Sequence, residues 1–414
     1  MLRLVAPADL PDARRDAVDA PTLEQSRAIV DAVRTGGAIA LRAQAERFGE
    51  LAPADRLVHG SADLKAAWDS LPPDQQALLQ RTADRIRAFA TAQRAALGEV
   101  DVPVPGGRAG HTWCPVARAG CYAPGGRFPL PSTVLMTAIP ARVAGVTWVV
   151  VASPRPSVVT LAAAHVAGAD ALLAVGGAQA IAALAYGVGL PPVDVIVGPG
   201  NRWVTAAKQL VSGRVGIDML AGPSELLIVA DASAEPARVA ADLIAQAEHD
   251  PDALPILITT EPRLPDRVRE ALEQQLRDLP TAAIARQSLD SGFAVVCDTL
   301  AQAIALSDQL APEHLELMVA DPEALQPAHA GAVFVGSDAA EVFGDYGAGP
   351  NHVLPTGSGA RFTGGLSVLD FLRLRTWLRI DDVGQAQGLV ADSAALARLE
   401  GLEGHARSAE ARKG

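Results

Sequence analysis

The sequence has very little cysteine. Cys114, Cys121 and Cys297 are its three cysteines in 414 residues, and they form no Cys-x-x-Cys pair. Three cysteines cannot build a disulfide framework, and such a number is typical of a reducing compartment. The first residues, Met-Leu-Arg-Leu-Val-Ala-Pro-Ala-Asp, lack the basic and then apolar pattern of a signal peptide. The sequence therefore predicts a cytoplasmic protein.

Basic charge is also scarce. Lysine and arginine total 35 against 47 aspartates and glutamates, so the formal net charge is −12. A general nucleic-acid binder needs a basic face, and a polybasic membrane anchor needs a basic run, so both classes are disfavoured. Residues 171–193 are uncharged over 23 positions, but Gly176-Gly177 and Pro191-Pro192 interrupt them. This segment predicts a buried strand and a small-residue helix rather than a transmembrane span.

The order of predicted elements indicates an α/β protein. From about residue 147, short β-branched runs alternate with alanine-rich helical stretches, which is typical of parallel sheets covered by helices. The turn at Gly222-Pro223 divides this alternation into two Rossmann-like, parallel-sheet domains that face a cleft. Ligands in such folds lie at the carboxyl ends of strands. The predicted divisions are a mainly helical N-terminal segment packing on the second α/β domain (1–120), the first domain (121–223), the second domain (224–366) and a helical C-terminal tail (367–414).

A glycine-rich turn stands where a nucleotide site is expected. No Gly-x-Gly-x-x-Gly follows a strand, so the usual dinucleotide fingerprint is missing. Gly198-Pro199-Gly200-Asn201 lies between a predicted strand and a helix. Backbone N–H groups there could hold an anion, or the segment could be a plain tight turn. The spacing leaves both interpretations open.

Several histidines stand beside carboxylates or amides. Gln246 and His249 are three residues apart and share a helical face, where they could ligate one metal or simply end the helix. Asp345 lies in a glycine-rich loop. His405 follows Glu400 by five residues in the tail, where a solvated histidine is the alternative. Together these nitrogen and oxygen donors would suit zinc or another divalent transition metal.

Two further groups could carry chemistry. Glu313-His314 opens a predicted strand, and the pair is suited to proton transfer near neutral pH, although a solvated strand cap is an equal alternative. A cysteine thiolate at Cys114 or Cys121 could attack an aldehyde. No histidine or lysine adjoins either cysteine to lower the thiol pKa, and so a structural role is favoured for both.

Longer sequence motifs contain several of these residues. Ile217-Asp-Met-Leu-Ala-Gly-Pro-Ser-Glu225, continuing to Asp242-Leu-Ile-Ala-Gln246-Ala-Glu-His249, resembles the signature of the histidinol dehydrogenase family. The segments at 176–185, 198–201, 312–315 and 344–355 are also similar to that family. The resemblance extends from about residue 110 to the end of the chain.

The resemblance implies a zinc- and NAD-dependent enzyme that oxidises L-histidinol to L-histidine through L-histidinal, the last step of histidine biosynthesis. It implies one zinc ion per subunit, with the ligands Gln246, His249, Asp345 and His405. It implies that Glu313 and His314 transfer protons. It implies NAD contacts through Tyr122, Gln179 and Asn201, and substrate contacts through Ser224, Gln246, His249, His314, Asp345, Glu400 and His405.

The resemblance also implies a homodimer in which the tail crosses to the partner subunit. The domain at 121–223 would then be the NAD side, and the domain at 224–366 the zinc and catalytic side. The alternatives are a sister zinc- and NAD-dependent dehydrogenase for another small polar alcohol, a two-lobed ligand-binding protein without activity, and a thiol-dependent aldehyde dehydrogenase. The last would require a nucleophilic Cys121.

Overall fold

The computed structural model describes residues 1–10, 17–125 and 129–413. Its strands, numbered along the chain, are β1 Arg3–Val5, β2 Val58–Gly60, β3 Val100–Val104, β4 Gly107–Pro115, β5 Arg118–Tyr122, β6 Trp148–Ala152, β7 Ala171–Leu173, β8 Val195–Val197, β9 Gly216–Ile217, β10 Glu225–Ala230, β11 Leu254–Thr259, β12 Phe293–Val296, β13 His314–Met318, β14 Ala332–Val335 and β15 Leu372–Ile380.

Helices connect most of these strands. They are α1 Ala20–Arg47, α2 Ser61–Asp69, α3 Pro73–Ala95, α4 Pro131–Ala144, α5 Val158–Val166, α6 Gly177–Tyr186, α7 Arg202–Val211, α8 Pro236–Ala247, α9 Leu264–Gln275, α10 Ala282–Ser291, α11 Leu300–Leu310, α12 Glu341–Asp345, α13 Gln387–Leu399 and α14 Glu403–Glu410. Among the residues that the structure describes, no helix combines the length and the apolarity needed to cross a lipid bilayer.

Two six-stranded sheets form the body of the protein. The first has the order β2-β7-β6-β5-β8-β9 and is parallel except where β2 pairs with β7. The second has the order β1-β12-β11-β10-β13-β14 and is parallel throughout. Their central strands are buried apolar runs, because helices cover both faces. The predicted fold class, with two Rossmann-like units, is confirmed.

The N-terminal segment packs differently from the prediction. Helix α1 contacts α6 and α7, α2 contacts α5, and α3 contacts α4, so these helices pack on the helices of the first unit. Packing of this segment on the second unit was predicted and is wrong for the helices, whose buried side chains join the first hydrophobic core. Of the described strands in this segment, the short strand β1 alone joins the second sheet, as an edge strand beside β12. The predicted boundary at residues 120 and 121 also falls inside β5, and the other domain boundaries stay predictions.

The tail begins with a strand that was not predicted. Strand β15 pairs antiparallel with β4, which also pairs with β3, so that the tail and the N-terminal segment share a three-stranded sheet. Its sequence, Leu-Arg-Leu-Arg-Thr-Trp-Leu-Arg-Ile, alternates mostly apolar with basic side chains, a period of two that favours a strand. Helices α13 and α14 follow and pack chiefly on each other. The tail is therefore not helical throughout, because β15 precedes α13 and α14.

Candidate active site

Two neighbouring strand starts bring the predicted proton-transfer pair together with Ser224. The parallel register aligns Leu226 with His314, so residues just before β10 and β13 are neighbours. Glu225 donates its backbone N–H to Glu313 Oε2 at 2.8 Å, and Ser224 also hydrogen bonds to this carboxyl group. These residues lie at the amino edge of the second sheet. The expectation that ligand residues lie at carboxyl ends is therefore wrong for this unit.

His314 is oriented by the main chain. Its Nδ1 lies 3.0 Å from the carbonyl oxygen of Glu225, and a carbonyl only accepts, so Nδ1 carries the proton. The lone pair is then on Nε2, which is buried and has no hydrogen-bond partner among the described residues. Burial lowers the pKa of His314 to about 4. A neutral imidazole with a free Nε2 can accept a proton from a bound hydroxyl group.

Glu313 is poised to exchange protons. Its side chain is almost fully buried, and burial raises its pKa well above the ordinary value. A carboxyl group whose pKa is shifted toward neutral pH is a more effective general base than an exposed one. The solvated strand cap, which was the alternative for this pair, does not fit the 5% exposure of Glu313 or the 4% exposure of His314.

Asp345 lies between two of the imidazoles. One carboxylate oxygen is 3.9 Å from His314 Nε2 and the other is 3.9 Å from His249 Nε2. Glu341, four residues earlier in α12, is 2% exposed. A carboxylate oxygen of Glu341, a ring nitrogen of His314 and a carboxylate oxygen of Asp345 lie within 4.8 Å of one another, close enough to hold one metal ion. Glu341 was not predicted, because nothing in its local sequence distinguishes it from other acidic helix starts.

Gln246 supplies a further observation that favours a metal. Its side chain is fully buried, and neither amide atom has a hydrogen-bond partner among the described residues. A buried polar group without a partner is costly, and such a group is usually satisfied by an ion or water. Gln246 lies in the last turn of α8, and His249 lies in the turn just after that helix. Helix α8 runs back to the amino edge where β11 begins. The donor set of Gln246, His249 and Asp345 fits a zinc ion.

The tail residues are not part of this group. Glu400 and His405 are both exposed, and they line a pocket of about 440 Å³ on the tail together with Ser393 and Arg412. No hydrogen bond or ion pair joins either residue to Asp345 or His249 within the described ranges. One chain therefore brings three of the four predicted zinc ligands to one edge of the sheet and leaves His405 apart.

The predicted NAD contacts lie at the carboxyl edge of the first sheet. Tyr122 ends β5, and Asn201 follows β8, at the point where the strand order reverses. Asn201 caps α7, because its Oδ1 accepts from the N–H groups of Trp203 and Val204. A Cβ atom at Gly198, where φ is +116°, would lie 2.0 Å from the Tyr122 carbonyl oxygen. The glycine at 198 therefore allows the close approach of β8 to the end of β5. Two N–H groups at the start of α7 are already bonded to the Asn201 side chain.

Gln179 lies in the first turn of α6, at the same edge. Its Nε2 donates to Glu50 Oε2 at 3.0 Å, and the Gly177 N–H donates to the Tyr122 hydroxyl at 3.1 Å. Burial raises the pKa of Tyr122 to about 12, so that its hydroxyl stays protonated. Glu50 is 129 residues from Gln179 in sequence, and no motif pointed to it.

A histidine joins the two units across the cleft. His352 Nδ1 lies 2.9 Å from the main-chain oxygen of Asp345, and His352 Nε2 lies 3.2 Å from Thr133 Oγ1 in α4. The neighbouring Asn351 donates its side-chain amide to the Met136 carbonyl oxygen at 2.7 Å. The carboxyl edge of the first sheet therefore faces the amino edge of the second, so the predicted NAD contacts and three of the predicted zinc ligands line one cleft.

The comparisons with known proteins agree on one family. The family model described as "Histidinol dehydrogenase" matches residues 13–413. The histidinol dehydrogenase of Thermus thermophilus is 48% identical over 413 residues, 97% of this chain and 97% of that protein. The histidinol dehydrogenase of Cereibacter sphaeroides is 47% identical over 413 residues, 98% of this chain and 93% of that protein. The chain belongs to the histidinol dehydrogenase family.

A solved structure extends the agreement to the fold. A histidinol dehydrogenase from Elizabethkingia anophelis superposes with a TM-score of 0.91 at 31% identity, over 99% of this chain and 98% of that one. The family predicted from the motifs at 217–249 is thus confirmed. The match of the family model begins at residue 13, so it includes most of the first hundred residues, in which the sequence motifs offered little.

Thiol chemistry has no support in this member of the histidinol dehydrogenase family. Cys121 is fully buried within β5, and burial raises the pKa of its thiol to about 12. A thiol that stays protonated is a poor nucleophile. Cys114 lies in β4, where its sulfur is 3.8 Å from Thr112 Oγ1. The structural role predicted for both cysteines is consistent with these positions.

Proposed function

We propose that the protein oxidises L-histidinol through L-histidinal to L-histidine, using zinc and NAD, as the last step of histidine biosynthesis. One observation carries the proposal: His314 presents a free Nε2 beside Glu313, 3.9 Å from an Asp345 oxygen, at the edge that faces the proposed NAD site. Membership of the histidinol dehydrogenase family supports the same substrate.

Zinc would be held by Gln246, His249 and Asp345, with His405 as the fourth ligand. When bound there it would hold the amino and imidazole nitrogens of the substrate, fixing the position of the carbinol carbon. Substrate contacts are assigned to the zinc-ligating side chains and to Ser224, His314 and Glu400. The unpartnered amide of Gln246 supports its place in this set.

The proton transfers are assigned to two residues. His314 Nε2 accepts the hydroxyl proton in the first oxidation, because Nδ1 is already committed to the Glu225 carbonyl. Glu313 takes a proton from the water that attacks the aldehyde in the second oxidation. NAD is the hydride acceptor in both steps, and its contacts are assigned to Tyr122, Gln179 and Asn201. The burial of Glu313 supports this assignment, since it raises the pKa of the carboxyl group and so makes the carboxylate a stronger base.

Two molecules of NADH are expected for each L-histidinol consumed. Removal of metal with a chelator is expected to abolish turnover, and added Zn²⁺ to restore it together with about one bound zinc per chain. NADH absorbance and elemental analysis of the protein measure the two quantities. Zinc that binds only the folded protein should also raise the thermal unfolding temperature, which is measured in a separate experiment.

Two alternatives predict other results. A sister dehydrogenase would reduce NAD with another small polar alcohol and not with L-histidinol. A ligand-binding protein would bind a small molecule without any NADH formation. The presence of Ser224 and Glu400 at the positions assigned to substrate contact favours L-histidinol over a different alcohol.

We also propose a cytoplasmic homodimer in which the tail of one chain completes the site of its partner. Three unpaired cysteines support a reducing compartment. The separation of His405 from the other ligands supports a crossing tail. Exposed apolar side chains along the tail support an interface: Leu374, Leu378, Ile380, Leu396 and Leu399.

Mixing two inactive variants tests the crossing tail. Glu313→Gln and His405→Asn are each expected to be inactive alone. In a mixed dimer one site would combine an intact Glu313 with the partner's intact tail, so co-expression should restore about one quarter of wild-type activity. NADH formation by the co-purified mixture measures this. If the tail serves its own chain, every site in the mixture carries one defect and no activity returns.

A further inference from the structure

Glu50 connects the N-terminal segment to the nucleotide edge of the first sheet. It follows α1, and its Oε2 accepts from the Gly176 N–H at 3.1 Å and from Gln179 Nε2 at 3.0 Å. Gln179 is 2% exposed, whereas Glu50 is partly buried. The proton transfers and the metal ligands make no use of Glu50, and its two bonds therefore need another explanation.

The first consequence concerns the orientation of the Gln179 amide. A glutamine side chain has a donor end and an acceptor end, and either can point in a given direction. Because Glu50 Oε2 accepts, Nε2 faces Glu50 and Oε1 faces away from it. Oε1 lies beside Gly177: a Cβ atom added to Gly177 would be 2.9 Å from Gln179 Oε1. Glu50 thus determines which end of the amide is available to a ligand.

The second consequence concerns the start of α6. The N–H groups of the first helical turn have no partner within the helix, and in many nucleotide sites they bind phosphate. Here the Gly176 N–H is bound by Glu50 and the Gly177 N–H by the Tyr122 hydroxyl. Recognition of a nucleotide at this edge must therefore depend more on side chains, Gln179 among them, than on these two backbone groups.

We propose that Glu50 is a positioning residue of the nucleotide site, which holds the Gln179 amide with its oxygen available to NAD. The inference rests on the proposed function, since Gln179 is an NAD contact only within it. Glu50 acts through Gln179 and does not touch the reacting atoms.

The test compares Glu50→Gln with wild type in NAD binding and in turnover. Glutamine has the same shape but can donate as well as accept, so the Gln179 amide loses its single orientation. We expect the Kd and KM for NAD to rise about 3- to 10-fold, the effect of one hydrogen bond, with kcat and the KM for L-histidinol unchanged. Glu46→Gln, on the exposed last turn of α1, is the matched control and should leave all four constants unchanged.

A double-mutant cycle with Gln179→Ala separates positioning from a structural role. If Glu50 acts through Gln179, Glu50→Gln should have no further effect on the Kd for NAD once the amide is gone. Independent, additive effects would overturn the proposal, as would a lower unfolding temperature with an unchanged Kd. Titration calorimetry with NAD alone needs no turnover. A wild type that binds NAD without forming NADH would contradict the proposed function and leave the Glu50 result standing, whereas a wild type that binds no NAD would contradict both.

Discussion

Glu313→Gln is expected to slow the oxidation of L-histidinal by about 10²- to 10⁴-fold, the usual contribution of a general base. Glutamine keeps the shape of the side chain, and its oxygen can still accept the Glu225 N–H that now binds Glu313 Oε2 at 2.8 Å. It cannot take a proton from water, and the second oxidation therefore loses its base. Rapid-mixing measurement of NADH from L-histidinal detects this step directly.

His314→Asn distinguishes the two oxidations. Asparagine can still bond to the Glu225 carbonyl, but it offers no basic nitrogen in place of Nε2. The first oxidation should then be slowed more than the second, the reverse of the Glu313 variant. Glu24→Gln, on an exposed face of α1, controls for the substitution itself. Near wild-type turnover by both active-site variants would refute the assignment of the pair.

Lys208→Met is expected to lower the free energy of unfolding by about 3–5 kcal/mol, because it leaves a buried carboxylate without its partner. Lys208 Nζ lies 2.5 Å from Asp218 Oδ1, and the two side chains are 4% and 0% exposed. The pair also holds the turn before Asn201: Lys208 donates to the Gly198 carbonyl oxygen at 2.6 Å, and Asp218 Oδ2 accepts the Gly198 N–H at 2.7 Å. Urea unfolding measures the change.

An exposed ion pair provides the control for the Lys208→Met prediction. Lys65 and Asp69 are also 2.5 Å apart, but their side chains are 61% and 54% exposed. Lys65→Met should cost about 0–1 kcal/mol, since solvent screens such pairs. The double variant of Lys208→Met with Asp218→Asn should recover part of the lost stability, because it removes the unpaired charge. An equal, small cost at Lys208 and Lys65 would contradict the buried-pair explanation.

The α/β alternation was predictable because its strands are short β-branched runs and its helices are alanine-rich stretches, and each pattern is visible in the local sequence. The helices Arg202–Val211, Pro236–Ala247 and Leu300–Leu310 and the strand Phe293–Val296 all lie in the part of the chain where this alternation was predicted. Helix α4 was not predicted: most of its side chains are buried and it contains Pro140, so no 3.6-residue pattern marks it.

The candidate site was predictable in its residue types and only partly in its arrangement. Motif spacing placed Gln246 with His249 and Glu313 with His314. It could not show that these pairs meet at an amino edge, since that depends on the register of β10 with β13 and on the return direction of α8. Glu50 approaches the site from a distant part of the chain. Glu341 lies only four residues before Asp345, but no local pattern distinguishes it from other acidic residues at helix starts.

The sequence by itself determined the fold class, the family and most of the side chains that the cleft presents, since composition, periodicity and motifs are local properties of the chain. The tertiary structure alone decided that α1, α2 and α3 pack on the first unit and that Glu50 reaches Gln179. It alone decided that His405 stays apart from Asp345 within one chain. Contacts between residues far apart in sequence depend on how the units pack, and packing depends on the shape of whole surfaces rather than on any short pattern.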